Sequence, residues 1–74
     1  MMHKDKILSN FAKQLTSVRE EQGISIRELA SRSNLEYSQV QRIEKGKVNF
    51  AFTTLIALAE GLAIPPSELI GKNF

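Results

Sequence analysis

Apolar residues recur along this chain at spacings of three and four, the period of helices with one buried face. The longest stripe, Ile7, Phe11, Leu15 and Val18, predicts a first helix from residue 4 or 5 to 22, stopped by Gly23. Ser25 then stands where its hydroxyl caps a second helix, and Glu28 three positions later completes a capping box, so that helix starts near Ile26. Leu29 and Ala30 supply its apolar patch. The polar run Ser31, Arg32, Ser33 and Asn34 offers the backbone competing hydrogen bonds and ends the helix near Ser33. Leu35, Val40 and Ile43 mark a third helix, and Gly46 stands where a left-handed residue would close it after Lys45. A fourth helix over 52–62 carries Leu55, Leu58, Ala59 and Leu62 on one side. Pro66 opens a short fifth helix, since its missing N–H would have no partner in a first turn; Leu69 and Ile70 pack it back and Gly71 ends it. No heptad persists long enough for a coiled coil, and no linker, repeat or low-complexity segment interrupts the series.

The segment 23–46 is the part of this pattern that bears on function, because two short helices joined by a turn of about three or four residues make a helix-turn-helix. On a wheel of about 100° per residue, Val40 and Ile43 lie within about 60° of each other and face the core. Tyr37, Ser38, Gln41, Arg42 and Lys45 share an arc of about 140° on the opposite side. Gln pairs with an adenine edge, Arg bridges guanine O6 and N7, and Ser bonds either kind of base edge, so this face suits a major groove. The plain alternative is a solvated polar surface, since such residues are ordinary on helix exteriors.

Composition narrows the function classes. With 74 residues, 42% of them hydrophobic, the chain has material for one small core, so residues 1–74 are expected to form a single domain. A net charge of +2 and a pI near 9.2 give only a modest overall attraction to nucleic acid, so binding depends on where the charge sits. The absence of cysteine excludes disulfides and thiolate metal sites and fits a reducing cytoplasm. No apolar run reaches membrane-spanning length and the start MMHKDK lacks a signal-peptide core, so a soluble cytoplasmic protein is expected, with no membrane partner. The single histidine, His3, sits near the terminus, and no metal-ligand cluster or carboxylate pair suggests catalysis. Neither an enzyme, nor a metal, nor any other cofactor is expected.

Across residues 11–69, about four fifths of the chain, the sequence resembles the phage-repressor and Cro-like helix-turn-helix family of the xenobiotic-response-element type. The resemblance is carried by Phe11, Ala12, Leu15, Val18 and Arg19, then Gly23, Ile24, Ser25, Leu29 and Ala30. It continues through Leu35, Ser38, Val40, the run Arg42, Ile43, Glu44, Lys45 and Gly46, and then Thr54, Leu55, Leu58, Ala59, Leu62, Glu68 and Leu69. It implies an all-α, compact five-helix domain of the lambda-repressor-like kind that binds operator DNA as a dimer, with the third helix in the major groove. It also implies that Arg19 and Glu44 form a partly buried ion pair with an architectural role. At the edge of the core an unpaired carboxylate is costly, and a bidentate Arg relieves it.

On this reading Tyr37, Ser38, Gln41 and Arg42 read bases. Lys45, Lys47 and Asn49, at or just past the end of that helix, reach flanking phosphates, contacts that position the helix without reading sequence. Arg27, in the first turn of helix 2, is a further phosphate candidate beside free N–H groups. For the lysines, solubility and a complement to a helix C-terminus is the alternative. Several positions depart from the family pattern. Ile26 replaces a frequent phosphate-bonding Gln and is expected to pack beside helix 1; Tyr37 replaces a frequent Gln and leaves base preference open, through stacking, a methyl contact or a phenol bonded to phosphate. Phe50 and Ala51 replace a Pro and a small cap, so Asn49 is expected to replace the cap of helix 4 in part, and Phe50 either tucks under the loop or joins a subunit contact.

A homodimer on double-stranded DNA is expected, because one reading helix covers few base pairs and a two-fold pair reads two half-sites about 34 Å apart. Its surface is sought in the C-terminal half of helix 4, the segment 62–66 or the tail ending in Phe74. Gly61, which costs roughly 1 kcal/mol against Ala inside a helix, is either merely tolerated or permits close helix approach. A repressor is the simplest function, although the same fold can recruit polymerase as a partner and activate. Alternatives are the antitoxin of a toxin-antitoxin pair, with a toxin partner, and a restriction-modification controller protein. With the sequence ending at Phe74, no small-molecule effector is expected.

Overall fold

A computed structural model describes residues 3–71, which form α1 (Lys4–Glu21), α2 (Ile26–Ser33), α3 (Tyr37–Glu44), α4 (Phe52–Gly61) and α5 (Ser67–Ile70). All the regular structure among them is helical, as the apolar spacing predicts. The helix limits fall within a residue or so of those read from the sequence; Pro66 precedes α5 in a helical conformation and Gly71 follows it at φ 52°. Their Cα radius of gyration is 11.2 Å. A packed chain of this length has a radius of about 11 Å.

The core is one cluster. Leu15, Leu29, Leu58, Leu62, Leu69 and Val40 are fully buried at its centre, each contributing about 1.5–3 kcal/mol relative to an exposed side chain. α2 packs on α3 and α4, and α1 packs on α3 and α5. Gln14 of α1 and Gln22, the residue that follows the helix, fix the C-terminal elements to it: Gln14 Nε2 donates to Glu68 O at 2.8 Å, and Gln22 Nε2 donates to Leu62 O at 2.7 Å.

Two expected core positions are corrected. Ile7 and Ile70 are each 39% exposed, whereas Leu8 and Ala12 are buried with Phe11 and Leu15. Phe11 and Leu15 sit on an arc that Leu8 and Ala12 extend in one direction, leaving Ile7 and the half-buried Val18 at its other edge. In α5 it is Leu69 alone that points inward. The Ser25 cap is present, with its Oγ accepting from the Glu28 amide at 3.0 Å, but the box is not reciprocal: the Glu28 carboxylate accepts instead from Arg32 Nε at 2.9 Å. Ala51 is the residue that precedes α4 and no side chain caps the helix, so Asn49 does not act as a substitute cap. Phe50 tucks under the loop, its ring centroid 5.0 Å from that of Phe11. Ile26 is partly buried against the core cluster.

Gly61 is more than tolerated. A Cβ there would collide with Ser33 Oγ of α2 and lie 3.2 Å from the Ser33 amide nitrogen and 3.3 Å from Leu29 Cδ1. The missing side chain is what lets α4 lie against the last turn of α2. Ser33 Oγ is buried in that contact with no hydrogen-bond partner. Phe74, named as a possible element of a subunit contact, lies outside the described residues.

Candidate nucleic-acid interface

The orientation of α3 follows from how α2 ends. Asn34 takes the left-handed conformation (φ 57°), with its amide bonded to Ser31 O at 3.2 Å and that of Leu35 to Ala30 O at 2.9 Å. These bonds satisfy two of the last four carbonyls of α2 and turn the chain sharply. Asn tolerates this conformation better than most residues. Asn34, Leu35 and Glu36 are the whole connection, and α3 starts at Tyr37. One side of α3 then buries Val40 and Ile43, at 0% and 2% exposure. Ser38, Arg42 and Lys45 face outward with Tyr37, and Gln41 is half-exposed.

The far end of α3 is held by a network rather than a simple pair. Arg19 Nε donates to Glu44 Oε2 at 2.7 Å and its Nη2 to Oε1 at 3.0 Å, a bidentate geometry. The side chains retain 12% and 8% of their accessible surface. Thr16 Oγ1 donates to Glu44 Oε1 at 3.0 Å, and Arg19 Nη1 donates to Ile24 O at 2.9 Å, so α1, the entry to α2 and the end of α3 meet at one guanidinium. The bond to Glu44 raises the Arg19 pKa above its ordinary value, against the opposing effect of burial. Thr16 escaped the sequence reading. Its signal is its place one turn before Arg19, on the same face of α1.

The side chains of Ser38, Gln41, Arg42, Lys45, Lys47 and Asn49 make no hydrogen bond or ion pair among the described residues. Ser38, Arg42 and Asn49 line one cleft between α3 and the loop that leads to α4, walled by Phe50 and Thr54. Lys45 and Lys47 instead share a depression with Asp5 and Ser9 on the α1 side. Arg27 is apart from both, its guanidinium carbon 4.7 Å from the centroid of the Tyr37 ring. The four expected phosphate residues are thus distributed over three places around α3, with Asn49 beside the expected base readers rather than with the lysines.

A buried face under an outward row of unengaged donors, on the second helix of a tight helix-turn-helix, is the arrangement that enters a major groove. A family model described as helix-turn-helix, of the Cro/CI type, matches residues 15–69. The chain belongs to this family. Membership makes it a DNA-binding helix-turn-helix protein of the transcription-regulator class, with double-stranded DNA as its partner. Among solved structures, the restriction-modification controller protein C.AhdI from Aeromonas hydrophila is similar at a TM-score of 0.81 and 35% sequence identity, over 84% of this chain and 94% of that one. No match is found among the curated proteins. Among the described residues of this helix-turn-helix protein, no helix is long and apolar enough to cross a membrane, and no three His, Cys, Asp or Glu residues are grouped to hold a metal ion.

Proposed function

We propose that the protein is a dimeric, sequence-specific transcriptional repressor that reads a two-fold symmetric operator through α3. Ser38, Gln41 and Arg42 supply base contacts at the outward face of that helix, and Lys45, Lys47, Asn49 and Arg27 supply contacts to the flanking backbone. The observation that carries this reading is the contrast between the two sets of polar groups. Donors on the outward face have no partner among the described residues, while the equally polar Arg19, Thr16 and Glu44 satisfy one another. Buried polar groups need partners inside the fold, and a surface that presents donors in a row is free to spend them on DNA. The same reading takes residues 1–74 as one non-enzymatic domain acting in the cytoplasm.

Selection of bound sequences from a random DNA pool tests it. Enrichment of a two-fold symmetric site is expected, with half-sites about one DNA turn apart. No enrichment at moderate salt would sink the proposal.

A narrower reading, that the protein regulates a restriction-modification system, is supported by the 35% identity to a controller protein over 84% of the chain. Under it, the selected site lies upstream of restriction and modification genes. A site found elsewhere, or a toxin that co-purifies with the protein, removes this subtype and leaves the DNA-binding regulator in place.

A further inference from the structure

We infer that Tyr37 and Arg27 act as one unit, in which the Tyr37 ring holds the Arg27 guanidinium ready for a DNA phosphate, so that Tyr37 is a positioning residue and not a base reader. The inference rests on the reading of α3 as the groove helix. Tyr37 is the first residue of α3 and Arg27 the second of α2, and the guanidinium carbon lies over the ring, 4.7 Å from its centroid. No other side-chain partner engages Arg27 among the described residues, although Arg32 on the same helix is paired to Glu28.

Two consequences follow from the chemistry of this contact. Guanidinium N–H donors lie in the plane of the group, so a face resting on a ring leaves the donor fork open to a phosphate. The same contact covers one face of the Tyr37 ring, and that face is withdrawn from stacking on a base. A free arginine must give up rotamer freedom when it binds, and a guanidinium already resting on a ring gives up less. The ring thus adds affinity without adding sequence information, and the base-reading set contracts to Ser38, Gln41 and Arg42.

The test combines one measurement without DNA and one with it. In the free protein, the Arg27 side-chain protons should be shifted upfield by the ring current in the wild type and in Tyr37→Phe, and not in Tyr37→Leu. Binding is then measured on a mixed-sequence duplex and on the selected operator as salt is varied. Tyr37→Phe should bind like the wild type on both. Tyr37→Leu should bind about 2- to 5-fold more weakly per copy bound on both, the range of an exposed cation–π contact, with its salt slope unchanged. Arg27→Ala should lower the slope by about one per copy bound. The double variant should bind no more weakly than Arg27→Ala.

Absence of the ring-current shift in the wild type would overturn the unit while leaving the DNA reading intact. So would multiplicative losses in the double variant, Tyr37→Phe binding as weakly as Tyr37→Leu, or a changed base preference in Tyr37→Leu. Failure of the wild type to bind either duplex at low salt is a different result, which removes the DNA reading and this inference together.

Discussion

Arg19 looks like a DNA contact if only its charge is considered, and its bonds assign it elsewhere. Its guanidinium spends three donors on Glu44 and on the Ile24 carbonyl, which leaves little to offer a phosphate. Removing it would leave the nearly buried Glu44 carboxylate with the Thr16 hydroxyl as its remaining partner. Breaking one side of such a pair costs about 3 kcal/mol. At about 4–8 °C per kcal/mol for a domain of this size, Arg19→Ala should lower the midpoint of a circular-dichroism melt by about 12 °C or more. Arg19→Met combined with Glu44→Leu should recover much of that loss, because no charge is left unpaired. An Arg19→Ala variant with an unchanged melt but defective DNA binding would reverse the assignment.

At the scale of helices, the contact between α2 and α4 sets two effects against each other. Helix propensity alone favours Ala over Gly by about 1 kcal/mol, so Gly61→Ala would stabilise an isolated α4. In the protein the new Cβ meets Ser33 Oγ and the Ser33 amide, backbone that cannot move without shifting α2. Overpacking of this kind costs about 1–3 kcal/mol and should win. Ser33→Ala removes a buried hydroxyl that lacks a partner and should be neutral or stabilising by about 1 kcal/mol. It should also reduce the cost of Gly61→Ala, and urea unfolding of the four proteins in this cycle measures both effects. A stabilising Gly61→Ala in the Ser33 background would show that the helices part without cost. This contact also marks the boundary of what the chain alone reveals. Helix limits were legible because Ser25, Gly23 and Pro66 act on their own neighbours. Which edge of the α1 stripe is buried, and whether Gly61 is needed, depend on elements far away in sequence. The left-handed turns at Asn34 and Ala63 likewise follow no residue-level rule as firm as that for glycine.

For the whole molecule the decisive quantity is the distribution of charge, since a net +2 gives little attraction in bulk. Outward donors were legible in the sequence as an arc of α3, because a wheel needs only the helix. Their grouping was not, because it depends on how the loop after α3 and the start of α1 fold beside it. The structure separates Lys45 and Lys47, which share a depression with Asp5, from the cleft of Ser38, Arg42 and Asn49. These groups should respond differently to substitution. Lys47→Ala removes a charge that carries no sequence information, so it should weaken binding to selected and mixed-sequence duplexes alike and lower the salt slope by about one per copy bound. Gln41→Ala removes donors suited to a base edge while leaving the charge unchanged. It should cost about 1–3 kcal/mol on the selected duplex, with little change on mixed sequence and no change in slope. Binding isotherms at several salt concentrations separate the two outcomes. If Lys47→Ala changed base preference and Gln41→Ala changed only the slope, the roles given to the two surfaces would have to be exchanged, and α3 would no longer be the element that reads.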